Sequence, residues 1–187
     1  EDFVSAIAKV YLSNDTNMKP VIRAVLYSRH FLDPTRRYQR YGWPVEFVVR
    51  SLKEVGWNGF SVNSTLNPLI NMGQQLFEPP DVNGWDLDRG WFSTATTLAR
   101  MNFAATLTTN QRVNLRNEAR PFGQTPQSVM SFVMERLSPA TLENRSYDEL
   151  MAYLRAGTNW TGSDTELQAK VAGVMHLLMG SAYYQLV

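Results

Sequence analysis

Cysteine does not occur in the chain, which removes disulfides, zinc–thiolate centres and cysteine nucleophiles together without fixing the compartment. Histidine is nearly as scarce: His30 and His176 fall on separate helical segments, and no Gly-x-Ser-x-Gly elbow or other nucleophile motif accompanies them. His176 lies beside an apolar stripe and reads as a half-buried structural residue. Charge of one sign is missing too. With 18 Lys and Arg against 17 Asp and Glu, the net charge is +1, which supplies no global field for nucleic acid or an anionic membrane. No apolar run approaches the ~20 residues that cross a bilayer. The first residues, Glu1-Asp2-Phe3, lack the basic and apolar regions of a signal peptide, so the chain is expected to begin as a mature protein or a fragment. Neither strand-type alternation nor a repeat of fixed period is present.

What is present is enough for one domain. At 187 residues, folding buries roughly 70% of the surface the unfolded chain exposes. A composition of 44% hydrophobic and 19% charged residues is neither disordered nor fibrous. Phe3, Ile7, Val10 and Tyr11 recur at helical spacing, and the segment stops near Ser13-Asn14-Asp15. Pro20 is expected to open a second helix with Ile22, Val25 and Leu26 inward, stopped by Asp33-Pro34. Pro44 opens a third, carrying Val45, Val48, Val49 and Leu52, with Glu46 in its first turn and Gly56 as its stop. A fourth is expected from Asn67-Pro68, burying Leu69, Met72 and Leu76 and holding Gly73 in its interior at a cost of ~1 kcal/mol. Ser93 or Thr94 caps the next, to about Leu107, with Leu98, Met101 and Ala105 on one face. Thr125-Pro126 starts another, with Val129, Met130, Val133, Met134 and Leu137. Two Ser-x-x-Glu matches, from Ser146 and from Ser163, mark the last two helix starts; Leu167, Val171, Val174, Met175 and Leu178 form the final stripe.

The exception to this helical pattern is Gln74 to Ser93, a stretch that packs two tryptophans, three aspartates, two prolines and two glycines between helices. Asn71-Met72-Gly73-Gln74 followed by Pro79-Pro80-Asp81-Val82-Asn83-Gly84-Trp85, then Trp91 and Arg100-Met101-Asn102-Phe103, resembles a bacterial family known as domain of unknown function 1800. That family shows Met-Gly-Gln, then Pro-Pro-x-Val-x-Gly-Trp, a second tryptophan and an Arg-x-Asn-Phe helix. Leu26-x-Ser28-x-x-Phe31, Pro44-Val45-Glu46 and Ser181-Ala182-Tyr183-Tyr184-Gln185 extend the likeness over nearly the whole chain. The resemblance implies a mostly helical, exported protein, of whose longer members this chain looks like the C-terminal part. It supplies no catalytic residues. Where the family has a glycine pair after Gly-Trp-x, this chain has Leu87-Asp88, which puts a glycine-dependent turn in doubt.

The chemistry of the stretch leaves several readings open. Asp81, Asn83, Asp86 and Asp88 are oxygen ligands spaced to wrap calcium, although they miss the EF-hand pattern; equally, Asp81 and Asn83 make local turn hydrogen bonds. Trp85, Trp91, Phe77 and Phe92 form either a stacking platform or a hydrophobic plug. Arg100 is expected to pair with Asp81, Asp86 or Asp88 and hold the stretch shut. Outside it, Arg29, Arg36, Arg37 and Arg40, interleaved with His30, Phe31, Tyr38 and Tyr41, make either a solvated loop or a strand-stacking nucleic-acid patch, and in a neutral chain the solvated loop is favoured.

The sequence therefore predicts an all-α fold, an irregular multi-helix bundle of about seven to eight helices with a long ordered Trp/Pro/Asp loop. Residues 1–110 form a sub-bundle carrying the loop, 111–124 a linker, and 125–187 a C-terminal segment packed on the same core. The candidate binding residues are Asp81, Asn83, Trp85, Asp86, Asp88, Arg89, Trp91, Arg100 and Asn102, with no catalytic set and calcium as the only cofactor considered. The expected partners are the missing N-terminal half or another protein chain, with nucleic acid disfavoured and no transmembrane segment. The expected location is exported, periplasmic or extracellular.

Overall fold

The computed structural model describes residues 2–57, 59–157 and 159–187. Among them it places ten α-helices and no strand, so the fold is all-α. The helices beyond the predicted seven to eight include two very short ones, which carry too few residues for a period to show. The chain divides into two compact units, Glu1–Gln39 and Arg40–Val187.

The first unit is a helical hairpin, α1 (Asp2–Leu12) against α2 (Met18–Leu26), followed by a 3-10 turn at Pro34–Arg36. Helix α2 begins two residues before Pro20, because the side chain of Asn17 caps it by accepting from Lys19 N at 3.0 Å. Its inward residue is Val21, not the expected Ile22 and Leu26, which are exposed.

The second unit holds α3 (Pro44–Glu54), α4 (Asn63–Asn71), α5 (Thr94–Thr108), α6 (Leu115–Ala119), α7 (Pro126–Leu137), α8 (Asn144–Arg155), α9 (Asp164–Gly180) and α10 (Ala182–Gln185). Helix α9 is its axis. Leu167, Val171, Val174, Met175 and Leu178 are fully buried along it, as the spacing predicts, and α5, α6, α7, α8 and α10 pack around it. Residues 111–124, read as a linker, contain α6, whose Leu115 and Ala119 are buried in the same core.

Helix ends follow the residues that can satisfy them. Ser93, Thr125 and Ser163 cap α5, α7 and α9 with their hydroxyls. The Ser146 match does not: α8 begins at Asn144, and Ser146, inside the helix, shares a hydroxyl contact of 3.1 Å with Tyr183. Gly56 ends α3 with φ +77°, as expected: Trp57 N donates to Leu52 O and Gly56 N to Lys53 O.

Gly73 corrects the reading of α4. The helix starts four residues earlier than Asn67 and runs through Pro68, and Gly73 is its stop, not an interior residue. At φ +90°, Gly73 N bonds Ile70 O and Gln74 N bonds Leu69 O, both at 2.9 Å. A Cβ at Gly73 would meet only Thr96 Cγ2, at 3.8 Å, so Gly73→Ala isolates left-handed backbone strain. Its urea midpoint is expected to fall by about 1–2 kcal/mol equivalent with an unchanged m-value. Gly173→Ala tests the opposite cause: mid-α9, a Cβ runs into the Tyr153 ring of α8, and a loss of about 1–3 kcal/mol should be largely recovered when Tyr153→Leu is added.

Candidate functional site

The loop is anchored at its first residue. Gln74 is buried, and its Oε1 accepts from Val45 N at 2.9 Å, satisfying an otherwise orphaned amide at the start of α3. From there the chain leaves the core: Phe77, at φ +65°, is 92% exposed. Residues 81–84 form a tight turn in which Asp81 Oδ1 accepts from Asn83 N at 2.7 Å and Asp81 O from Gly84 N at 3.1 Å, with Gly84 at φ +92°. Of the alternatives for Asp81 and Asn83, the structure shows the turn hydrogen bonds.

The chain then folds back. Trp85 is half-buried with its indole nitrogen enclosed, and Asp86 lies over Gly90 so closely that a Cβ there would sit 2.6 Å from Asp86 Cβ. Asp88 adopts φ +49° and its Oδ1 accepts from Tyr41 N at 3.3 Å. At the position of the missing glycine, Asp88 thus takes the left-handed region, which aspartate tolerates better than most side chains. Trp91 closes the loop: it is 4% exposed, its ring 5.9 Å from that of Trp43, and its carbonyl accepts from Thr96 Oγ1 at 2.9 Å. It is a plug, not a platform.

Arg100 overturns the expectation made for it. Its guanidinium reaches none of the three loop aspartates. Nη1 donates to Gln185 Oε1 and Nη2 to Gly42 O, both at 2.9 Å, while the group lies 4.4 Å from the Phe92 ring centre and 5.1 Å from that of Phe47. It is 1% exposed and makes no ion pair among the described residues. Burial pushes its pKa down to about 10, with the field of Glu46 opposing. It remains charged at neutral pH. Instead of closing the loop, it ties the segment before α3 to the end of the chain, where Gly42 N also donates to Gln185 O at 2.7 Å and Val187 N to Arg40 O at 2.8 Å.

The residues that sequence reasoning missed sit around this junction. Arg40 makes a two-pronged pair with Glu46, at 2.7 and 2.9 Å, and Glu46 also accepts from Trp43 N at 2.8 Å. Arg50 donates to the carbonyls of Leu137, Ser138, Tyr184 and Leu186 and to Glu54, and lies 4.2 Å from the Tyr184 ring centre. Glu54 accepts in turn from the Tyr184 hydroxyl at 2.7 Å. Pro44-Val45-Glu46 and Tyr183-Tyr184-Gln185 were visible as resemblance, but their mutual contact was not.

A family model described as "Protein of unknown function (DUF1800)" matches residues 1–186. The chain belongs to that family. No curated protein and no solved structure matches it. In this DUF1800 chain Asp88, Arg89 and Arg100 meet around Tyr41, Phe92 and Gln185, and Asn102 lies apart from them. Arg89 borders a pocket of about 500 Å³ with Tyr41, Phe92, Thr97 and Gln185. Asn102 lies on a separate groove of about 460 Å³ between α4 and α5, beside Asn71, Leu98 and Phe103. Leu98 and Met101, expected inward, are exposed along α5, whose buried side holds Arg100, Ala104, Leu107 and Thr108. Among the described residues no three His, Asp or Glu side chains gather as metal ligands; Asp81, Asp86 and Asp88 make the separate contacts given above.

Two carboxylates of the junction respond to pH with opposite signs. Arg40 and the Trp43 amide hold Glu46 below its ordinary value of 4.5, so its contribution is present above 4.5 and lost as pH falls through the lowered value. Burial raises Glu54 despite its donors Tyr184 and Arg50, so its contribution is full at low pH and lost as pH rises from 4.5 through the raised value. In urea midpoints followed against pH, Glu46→Gln should flatten the limb below 4.5 and Glu54→Gln the fall above it.

Proposed function

We propose that this chain is a non-catalytic helical module of an exported bacterial protein, acting in protein–protein assembly, with the Gln74–Ser93 loop as both keystone and docking edge. The observation that carries the reading is how the loop uses its residues. Three of its polar groups are taken up by backbone amides of the chain itself: Gln74, which is buried, by Val45 N, and the exposed Asp81 and Asp88 by Asn83 N and Tyr41 N. Its apolar groups at the tips are turned out, with Phe77 92%, Val82 103% and Leu87 72% exposed. Side chains of this kind, presented on a loop held rigid at both ends, favour a protein partner, since aromatic and aliphatic anchors dominate such contacts. A hydrolase or carbohydrate-binding reading on an extracellular polymer calls for a tryptophan lining an open cleft beside unpaired carboxylates, and Trp91 is buried against Trp43. The exported location rests on the family resemblance.

Mass analysis of the natively expressed protein, with whatever co-purifies, tests the proposal. A protein partner is expected with the unaltered chain and is expected to be lost with Val82→Asp plus Leu87→Asp, exposed changes that leave folding stability within about 0.5 kcal/mol. A partner-free native protein, or a partner retained by the double variant, would overturn it.

A further inference from the structure

The first unit concentrates two properties. Among the described residues, 9 of the 21 exposed large hydrophobic side chains lie in its 39 residues, about a fifth of the chain. The same segment carries six Lys and Arg against four Asp and Glu, while the second unit carries twelve against thirteen. Among the described residues none of the six cations is in an ion pair. The near-neutral total thus conceals a small basic, apolar body.

The two properties lie side by side on α2. At 100° per residue, Met18, Ile22 and Leu26 form one stripe, 53%, 52% and 46% exposed, and Lys19 and Arg23 form the stripe beside it. Val21, across the helix from Lys19 and Arg23, is the buried residue of the helix. The turn that follows adds Tyr27, Phe31 and Leu32, at 79%, 58% and 58% exposed, around the exposed Arg29. The stripe of Met18, Ile22 and Leu26 is aliphatic and offers nothing to stack on bases, which leaves only Tyr27 and Phe31 of this face suited to nucleic acid. A hydrocarbon boundary under anionic head groups complements both stripes at once, with the long basic side chains reaching up to the charge. We propose that the α2 face and the following turn, residues 18–32, dock this chain peripherally on an anionic lipid surface. No helix of the described residues is long and apolar enough to cross a membrane, which fits attachment in the plane of the interface.

The test uses the full chain and vesicles of phosphatidylcholine with about a third phosphatidylglycerol, against pure phosphatidylcholine, by co-sedimentation. Binding should be at least about tenfold tighter to the anionic vesicles and should weaken as salt is raised. Arg23→Glu, and separately Ile22→Ser, alter exposed residues and should leave thermal unfolding unchanged; removing the Arg23 charge should by itself cost about fivefold in affinity, reversal more, and Ile22→Ser several-fold. Because the chain has no cysteine, Phe31→Cys accepts a single environment-sensitive dye, whose emission should shift to the blue on anionic vesicles. Failure to sediment with those vesicles, or an unshifted dye, would overturn the proposal. So would binding confined to a single-stranded oligonucleotide and indifferent to Ile22→Ser, which would assign the face to nucleic acid, or capture of a protein partner lost with Ile22→Ser while vesicles are ignored. The loop proposal is untouched by these outcomes, since its own variants lie at Val82 and Leu87.

Discussion

Arg100→Ala should lower unfolding stability by about 3–5 kcal/mol, among the largest single effects available in this chain. The substitution leaves Gln185 Oε1 and Gly42 O without their donor, empties a space between the Phe47 and Phe92 rings, and frees the segment around α10. Urea denaturation checks the size; hydrogen exchange checks the place, with the Gly42 and Val187 amides expected to lose protection first. Arg100→Lys should not restore stability. A single ammonium cannot reach two acceptors while lying flat between two aromatic rings. Arg100→Met keeps much of the volume and separates the terms: a remaining deficit of about 1–3 kcal/mol would report the unsatisfied acceptors alone.

Arg50→Ala should cost about 3 kcal/mol or more through a different mechanism. Its guanidinium supplies donors to Leu137 and Ser138 at the end of α7 and to Tyr184 and Leu186 in the last residues, so its loss orphans carbonyls in two separate segments. It also leaves Glu54 partly buried without its cation. Because burial already raises Glu54 above 4.5, removing Arg50 raises it further, and the deficit should widen as pH increases from that value. Urea midpoints at two pH values on either side of that range are sufficient; a deficit independent of pH would show that the carbonyls account for it without Glu54. Limited proteolysis should cut the variant first within residues 182–187.

Both arginines show where sequence reading stops. Several local signals held, with Pro44 and Pro126 opening helices, Ser163 capping α9 and Gly56 stopping α3, while Pro20 and Ser146 did not mark the helix starts expected of them. The buried stripe of α9 was legible because it is uniformly apolar. The face of α5 was not, because an apolar pattern points to Leu98 and Met101, whereas the side turned inward holds Arg100 and Thr108. What makes burial of Arg100 tolerable are acceptors 58 and 85 positions away, and no window of sequence contains them. Gly73 failed for a subtler reason: a glycine inside an apolar period and a glycine ending it look alike until its positive φ is known. Of the loop's local turns, the hydrogen bond from Asn83 N to Asp81 was readable, whereas that from Tyr41 N to Asp88 spans 47 positions and was not. Arg50 carried no sequence signal, since an arginine on a helix surface is the ordinary case.

The pairing of residues 40–42 with 185–187 has a mechanical consequence. The second unit starts and finishes at one point, with Arg40 and Val187 joined by bonds of 3.5 and 2.8 Å and Gly42 to Gln185 by one of 2.7 Å. The two short segments are antiparallel, so tension applied between them peels these bonds open in sequence, beginning at Arg40, instead of loading them together in shear. Such a seam yields at low force until it reaches Gly42 and Gln185. There Arg100 grips both sides from behind, and further extension has to draw a charged side chain out of the core.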